Sequence, residues 1–323
     1  MHKLFSVGLM AFMIGGAIPA IATTAAAADL ELTIMAPAGA GGGWDSAARS
    51  LQEVMMATQA AKSVQVINVP GAGGTVGLAQ FVDSAKGRPD QLFVAGITLV
   101  GASISNKSPV DLTQVTPLAR LTGDPLVIVV PKDSPIKSID DLLAAIKKDV
   151  ATAIWVGGSA GGADHILAAL VTKAAGVDPS KINYVAYSGG GEALAAMLGG
   201  QAMAGVSGYG EWEAQIKSGE LRALAISYPE AIPGIDAKPL KAQGLDIELV
   251  NWRGVFAPPG VEGAELDALK VAVEKTVKSK EWAEVVKARG WTDYYAPSDE
   301  FKAFVTSETE RVRGILKSIG LAD

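Results

Sequence analysis

The chain has 323 residues, which at ~150 residues per domain predicts about two domains, and its 49% apolar and 19% charged residues are typical of a globular protein. It has no cysteine and only two histidines, His2 and His165, which excludes disulfide frameworks, iron–sulfur and zinc–thiolate sites, a thiol nucleophile and a histidine-rich metal site. The net charge of −6 excludes a general basic surface for nucleic acid or anionic lipid.

The first 28 residues have the pattern of a secretory signal peptide. Lys3 precedes an apolar run over residues 4–17, Pro19 interrupts it, and alanines lead to a small-x-small cleavage site at Ala26-Ala27-Ala28. An uncleaved membrane anchor is the alternative, because residues 4–28 carry no charge. We predict cleavage after Ala28 and an exported, periplasmic protein.

Short apolar runs alternate with amphipathic stretches along the rest of the chain. The runs predict strands at residues 30–36, 64–69, 92–97, 126–130, 153–156, 182–187, 202–206, 222–227 and 248–256. Predicted helices between them include 46–56, 138–147, 164–175 and 192–198. This alternation favours an α/β fold with mostly parallel sheets covered by helices. From residue 262 onward the pattern is helical, with a turn predicted at Trp291–Pro297.

Two long β-runs next to turns rich in proline or glycine indicate crossings between two lobes. One crossing follows Gly123-Asp124-Pro125, and the other is the run at 248–256. The predicted first lobe is therefore discontinuous, made of residues 29–125 and 251–323, and the second is 126–250. Two lobes joined by β-connections suit closure around a ligand.

Glycine-rich turns join four of the predicted strands to the following helices. They are PAGAGGGWDS (37–46), PGAGGTVG (70–77), GGSAGGAD (157–164) and SGGG (188–191). Glycine lets a ligand approach the backbone closely, and the first N–H groups of a helix lack internal partners. Such turns can hold a carboxylate or phosphate without a basic side chain. In parallel sheets they gather at the carboxyl edge, where ligands bind, although each taken alone can also be a plain tight turn.

Several side chains near these turns have two possible roles. Asp45 and Asp164 sit where a helix-capping carboxylate belongs, but each can also contact a ligand. Glu211 can line the cleft rim or begin a solvated helix. Arg253 can pair with a ligand carboxylate or hold the hinge through an ion pair.

The sequence offers little for catalysis. No mononucleotide P-loop is present, and GAGGTV (71–76) departs from the dinucleotide fingerprint at its sixth position. The string around Ser159 fits the nucleophile elbow of serine hydrolases, but the only later histidine is His165, on the helix leaving the same turn. A packing or supporting role for His165 is favoured, and a serine hydrolase acting through Ser159 is the alternative function.

Five strings, in this order, resemble the substrate-binding proteins of tripartite tricarboxylate transporters, also called the Bug family of periplasmic solute receptors. They are PAGAGGGWDSAAR (37–49), NVPGAGGTVG (68–77), VAYSGGGEA (185–193), GELRALAIS (219–227) and NWRGVFAPP (251–259). The resemblance implies a type II periplasmic binding protein that closes on a small carboxylate and delivers it to a membrane permease of one large and one small subunit. A sensory receptor for a membrane signalling partner would use the same fold.

The resemblance also implies that backbone amides and ordered water in two glycine-rich turns hold the ligand carboxylate. Many relatives have Thr or Ser where this chain has Trp44, whose ring can stack on a flat ligand or narrow the pocket. Citrate-like acids and aromatic acids are the suggested ligands; no cofactor, metal or nucleic acid is expected, and the protein is predicted to be a monomer. The candidate ligand-binding residues are Ala38, Gly39, Gly41, Gly42, Gly43, Trp44, Asp45, Gly73, Gly74, Thr98, Ser159, Ala160, Gly161, Gly162, Ala163, Asp164, Gly189, Gly190, Ser207 and Gly208.

Overall fold

The computed structural model describes residues 30–323. The predicted signal peptide lies outside the described residues. The strands are β1 (Glu31–Ala36), β2 (Ser63–Asn68), β3 (Gln91–Gly96), β4 (Thr116–Pro131), β5 (Ile154–Gly157), β6 (Asn183–Ala186), β7 (Ala204–Gly208), β8 (Leu221–Ile226), β9 (Val250–Ala257) and β10 (Thr292–Pro297). The helices are α1 (Gly43–Ala57), α2 (Thr75–Ser84), α3 (Ile97–Ser105), α4 (Ile139–Lys148), α5 (Ala163–Ala174), α6 (Gly190–Leu198), α7 (Tyr209–Lys217), α8 (Gly263–Val277), α9 (Lys280–Ala288) and α10 (Ser298–Ser318). Among residues 30–323, no helix is both long and apolar enough to cross a lipid bilayer.

The strands form two mixed sheets that share β4. In the first sheet β1 lies between β2 and β3 and parallel to both, and β3 pairs antiparallel with β9, which pairs with the first part of β4. In the second sheet β5 lies parallel to β6 and β7, and β7 pairs antiparallel with the second part of β4. We call the two sheets with their covering helices lobe 1 and lobe 2. The parallel strands in each lobe end at the cleft between them.

The two lobes are connected by β4 and by the chain that leads into β9. Pro125 of β4 pairs with Val250, while the next residue, Leu126, pairs with Gly208 of lobe 2. Buried Ser227 bonds to both connections. Its hydroxyl donates to the carbonyl oxygen of Leu249, and its backbone N–H donates to the carbonyl oxygen of Leu126.

Lobe 1 includes the C-terminal part of the chain. Helix α8 packs on α1, and α10 packs on β4 and α3. The ring of Trp252 on β9 meets Phe301 and Phe304 of α10 edge-on, with ring centroids 5.7 and 5.3 Å away. Burying aromatic rings of this size stabilises the lobe by roughly 2–3 kcal/mol for each side chain.

Two strand segments differ from the sequence prediction. The turn predicted at Trp291–Pro297 is wrong: Thr292–Pro297 form β10, which pairs antiparallel with β4, with an irregularity between Asp293 and Ala296. The first part of β4 was also missed, because prolines and a glycine in TPLARLTGDP are typical of turns. Both segments are strands because they pair with residues far away in the sequence.

Candidate ligand-binding site

A cavity of about 300 Å³ lies in the cleft between the lobes. The N-terminal ends of α1 and α2 approach it from lobe 1, and those of α5 and α6 approach it from lobe 2. Its lining residues are Pro37, Ala38, Gly42, Gly43, Trp44, Pro70, Gly71, Ala72, Gly73, Gly74, Thr98, Gly158, Ser159, Ala160, Ala163, Asp164, Ala186, Tyr187, Ser188, Gly189, Gly190, Ser207, Gly208, Glu211, Asn251 and Arg253. A cavity of this size accommodates a small organic molecule.

Fifteen of the twenty candidate residues line this cavity. The five that do not are Gly39, Gly41, Asp45, Gly161 and Gly162, which lie in or next to the glycine-rich turns but away from the cavity surface. Gly162 still makes the turn possible, because a Cβ there would lie only 2.8 Å from the methyl carbon of Thr98.

The carboxylate of Asp45 shapes the first turn from within. One oxygen accepts hydrogen bonds from the backbone N–H of Gly41 at 2.8 Å and from Arg49 at 3.0 Å, and the other accepts one from the Asn68 amide at 2.9 Å. Burial opposes ionisation of Asp45, but these hydrogen bonds outweigh it and lower the pKa of the carboxyl. Asp45 therefore shapes the turn before α1, and the predicted capping hydrogen bond to the helix is not formed.

The carboxylate of Asp164 makes a similar bond but faces the cavity. Its Oδ2 accepts a hydrogen bond from the Gly158 N–H at 2.7 Å, and the Tyr184 hydroxyl donates to the Gly158 carbonyl oxygen at 2.7 Å. Burial raises the pKa of Asp164 to about 7, and the negative charges of Glu211 and Asp124 add to this effect. Asp164 thus shapes the turn before α5, without capping the helix, and also lies in the cavity wall.

His165 supports the same turn from behind. Its Nδ1 accepts a hydrogen bond from the Gly161 N–H at 3.1 Å, and its ring stacks on Tyr184 with centroids 4.2 Å apart. Nδ1 is therefore occupied and does not act as a base for the Ser159 hydroxyl. This geometry gives no support to the serine hydrolase alternative.

The burial of His165 predicts a specific pH dependence of stability. Burial lowers its pKa from 6.5 to about 4, so the unfolded chain takes up a proton between these pH values while the folded protein does not. We expect the free energy of unfolding to fall by about 2–3 kcal/mol between pH 7 and 4.5 through this group. The His165→Gln variant, which keeps an acceptor but does not titrate, should lack this contribution.

Urea unfolding of both proteins across this pH range measures the effect. Asp164 and Glu211 work in the opposite direction, because their raised pKa values stabilise the folded protein as the pH falls, but they are the same in both proteins. Parallel stability curves for wild type and variant would show that His165 is not buried in its neutral form.

Glu211 on α7 occupies the N-terminal end of α6. Its Oε2 accepts a hydrogen bond from the Ser207 hydroxyl at 3.1 Å, and a Cβ added at Gly190 would collide with the same oxygen. Burial raises the pKa of Glu211 to about 7, and the negative charge of Asp124 adds to the shift. The N-terminal end of α6, predicted to attract anions, thus already holds a carboxylate of the chain.

The side chain of Arg253 lies at the connection between the lobes and next to the cavity. It forms a buried ion pair with Asp124, with Nη2 2.5 Å from Oδ2, and lies 3.9 Å from Glu211 Oε1. Within residues 30–323, Arg253 Nη1 and Asp124 Oδ1 are buried without a hydrogen-bond partner. The structure therefore supports the hinge interpretation of Arg253 and also places this residue in the cavity wall.

Direct contacts hold the two lobes together at the cleft. The Ala163 N–H of lobe 2 donates to Thr98 Oγ1 of lobe 1 at 3.2 Å. On the next turn of α3, Gly101 lies against the carbonyl oxygen of Gly161, where a Cβ at Gly101 would collide with it. The lobes thus meet in a closed arrangement that depends on small residues.

Eleven residues that line the cavity were not among the ligand-binding candidates predicted from the sequence. Six of them lie inside the predicted glycine-rich turns, next to the residues that were chosen as candidates, as Pro37, Gly71 and Gly158 do. Glu211 lies on α7 and Arg253 on β9. The strings EWE and NWRG marked both residues as possible cleft or hinge residues, but they did not indicate that the two side chains lie next to each other.

The chain matches a known protein family over most of its length. The sequence model of the tripartite tricarboxylate transporter family receptors matches residues 47–321 of the chain. Over 326 aligned residues the chain is 28% identical to Protein BugT of Bordetella pertussis, covering 99% of this chain and 98% of that protein.

Solved structures of periplasmic binding proteins share the fold. The structure of periplasmic binding protein BugD superposes with a TM-score of 0.82 at 24% identity, covering 90% of this chain and 98% of that one. MatC from Rhodopseudomonas palustris with bound malate gives a TM-score of 0.78 at 22% identity, covering 88% and 98%. The structure of an R. palustris protein with adipate gives a TM-score of 0.83 at 19% identity, covering 90% of this chain and 98% of that one. These neighbours confirm the predicted two-lobed type II fold.

The family match extends from α1 to the C-terminal end of α10 and includes most of the residues that build the cleft. The chain therefore belongs to the tripartite tricarboxylate transporter family receptors, which are solute-binding proteins and not enzymes.

Proposed function

We propose that this protein is a periplasmic receptor that closes its two lobes on a small organic acid. The cavity between the lobes is the observation that carries this proposal. Helix N-terminal ends from both lobes and the Arg253 guanidinium surround it, and these are the groups that bind carboxylates in proteins. The bound malate of MatC and the bound adipate of the R. palustris protein agree with this ligand class.

The fifteen candidate residues that line the cavity are the proposed contacts. Gly43 begins α1, and Ser159 lies in the turn before α5, so their backbone N–H groups are available to a ligand rather than to the helix interior. Trp44 supplies an aromatic surface in the same wall. Citrate-like and aromatic acids are therefore included among the ligands to be tested.

A thermal-shift screen of the protein purified from the periplasmic fraction tests the function. It should be unfolded, dialysed and refolded to remove any bound ligand, then mixed with mono-, di- and tricarboxylates, with sugars and amines as controls. A ligand present at ~100 times its Kd stabilises the native state by about 2.7 kcal/mol, which gives a clear rise in Tm. Shifts by sugars or amines and by no carboxylate would contradict the proposal.

We further propose that the protein is exported and delivers its ligand to the membrane subunits of a tripartite tricarboxylate transporter. The pattern of the first 28 residues and the periplasmic location of BugD support export. Mass spectrometry of the periplasmic protein should give the mass of a chain that begins at Asp29. A mass that includes residues 1–28 would rule out cleavage at Ala28.

The lobe boundaries at 125/126 and 250/251 are part of the same proposal. They coincide with the change of pairing partner along β4, from Val250 at Pro125 to Gly208 at Leu126. A rotation of one lobe at these positions opens the cleft without breaking either sheet.

A further inference from the structure

The cleft brings more acidic than basic side chains together. Asp164 and Glu211, both of lobe 2, are the carboxylates in the cavity lining, and Arg253 of lobe 1 is its only cationic side chain among residues 30–323. Arg253 is already paired with Asp124, whose side chain is 1% exposed. Because both partners of that pair belong to lobe 1, closure neither makes nor breaks it. With Asp164 and Glu211 ionised, three carboxylates therefore surround one guanidinium in the closed cleft.

The carboxyl of Glu211 is covered by the opposite lobe. Its Oε1 lies 3.9 Å from Arg253 Nη2 and 3.0 Å from the position that a Cβ at Gly43 would take, and its side chain is only 21% exposed. Within its own lobe, Oε2 accepts a hydrogen bond from the Ser207 hydroxyl at 3.1 Å. Asp124 and Arg253 are its charged neighbours in lobe 1. Opening the cleft moves lobe 1 away and exposes this carboxyl to water, which favours its ionised form.

Asp164 lies in the first turn of α5, which lobe 1 also contacts. The first N–H of α5 donates to Thr98 Oγ1 of lobe 1 at 3.2 Å. Burial disfavours the ionised form of Asp164, the negative charges of Glu211 and Asp124 act in the same direction, and the positive charge of Arg253 opposes them more weakly. The approach of lobe 1 adds to the burial and brings the charge of Asp124 nearer, so closure favours the protonated form of Asp164 as well.

The other titratable side chains packed around Asp164 do not change charge near neutral pH. His165 accepts the Gly161 N–H at Nδ1, and burial lowers the pKa of His165 to about 4. The Tyr184 hydroxyl donates to the Gly158 carbonyl oxygen, and burial raises the pKa of Tyr184 well above its ordinary value. A change in closure near pH 7 therefore does not originate in these two rings.

We propose that closure of the cleft takes up protons on Glu211 and Asp164, so that the closed form becomes more populated as the pH falls through neutrality. The lobes then respond to pH even without a ligand. The sign follows from linkage: a group that holds its proton more strongly in one form shifts the equilibrium toward that form as the pH falls. This inference rests on the proposed closure of the two lobes but not on the identity of the ligand.

Fluorescence energy transfer between the lobes tests the proposal on refolded, ligand-free protein. The chain has no cysteine, so Gln80→Cys on α2 and Ala195→Cys on α6 place two dyes at exposed positions on opposite lobes. Single-molecule measurements give the closed fraction at each pH. Because burial raises the pKa of both carboxyls to about 7 in the closed form, we expect the ratio of closed to open molecules to rise at least about fivefold from about pH 8.5 to pH 6.

Two substitutions and one control assign the response to these carboxyls. Glu211→Gln and Asp164→Asn each keep one side chain neutral at every pH, so each should raise the closed fraction at about pH 8.5 and weaken its pH dependence. The double variant should change less than about 1.5-fold over the same range. Glu213→Gln, on the same helix as Glu211 but outside the cavity and paired with Lys217 at 2.7 Å, should keep the full response. Thermal melts confirm that each variant is folded.

The outcomes distinguish this inference from the proposed function. A closed fraction of the wild type that is constant with pH, or that falls as the pH falls, overturns the inference. A full response in the double variant also overturns it, because other groups would then take up the protons. Binding of a carboxylate in the thermal-shift screen at one pH is unaffected by any of these results. If no carboxylate binds in that screen, the proposed function itself fails, whatever the pH response of the lobes.

Discussion

Replacing Arg253 with methionine is expected to lower the free energy of unfolding by about 3–5 kcal/mol, because it leaves the carboxylate of Asp124 buried without its partner. Both side chains of this pair are almost completely buried, at 3% and 1% exposure. They join β9 to β4 where the lobes meet, so the loss affects the hinge as well as the cavity wall. Urea unfolding at neutral pH measures the change.

An exposed pair provides the control for this substitution. Arg88 and Asp90 lie 2.8 Å apart with side chains about half exposed, at 54% and 46%, and Arg88→Met should leave the unfolding midpoint nearly unchanged. The double variant Arg253→Met/Asp124→Leu removes both buried charges and should recover much of the stability lost in the single variant. Equal losses from the buried and exposed substitutions would show that the Arg253–Asp124 pair is accessible to water.

The position of the site was predictable because it follows from regular βα geometry. Turns such as PAGAGGGWDS and GGSAGGAD follow parallel strands, and parallel strands place their carboxyl ends along one edge. The cavity lies at that edge in both lobes. Local sequence was sufficient here, since the turn and the following helix are adjacent in the chain.

The roles of individual carboxylates were not predictable in the same way. Asp45 and Asp164 both lie in the first turn of a helix after a glycine-rich turn, yet Asp45 is directed to Asn68 and Arg49 while Asp164 lines the cavity. The difference depends on which partners lie nearby in space. Asn68 on β2 reaches Asp45, whereas Asp164 bonds a neighbour six residues away.

The contacts among Arg253, Asp124 and Glu211 could not be predicted, for a related reason. These residues come from β9, β4 and α7, and their contacts span up to 129 residues of sequence. Their register depends on the pairing of β4, whose first part was read as a turn. Because this strand was missed, local patterns indicated neither the Arg253–Asp124 ion pair nor the approach of Glu211 to Arg253.

The second large effect is expected on ligand affinity, from a substitution at Gly101 that opposes closure of the cleft. The residue lies in the middle of α3, where alanine is normally favoured over glycine by about 0.5–1 kcal/mol. In the closed arrangement, however, its Cβ would collide with the carbonyl oxygen of Gly161 across the cleft and lie 3.2 Å from Ile166 Cδ1. Gly101→Ala should therefore leave each lobe folded but oppose their approach.

We expect Gly101→Ala to raise the Kd of the ligand found in the screen at least about tenfold, because a penalty of 1.4 kcal/mol on the closed state alone has this effect. Gly314→Ala is the matched control: Gly314 also lies inside a helix, but a Cβ there meets no atom within 4 Å. Small-angle scattering of the ligand-saturated proteins should show a larger radius of gyration for Gly101→Ala only.

Retention of both wild-type affinity and a wild-type radius in Gly101→Ala would mean that the ligand is held without this contact between α3 and the turn before α5. If affinity falls but the radius stays small, the substitution acts on the cavity rather than on closure. The expected combination of weaker binding and a wider average shape follows only if ligand affinity depends on the population of the closed form. Contact between Gly101 and the carbonyl oxygen of Gly161 would then set how tightly the receptor closes.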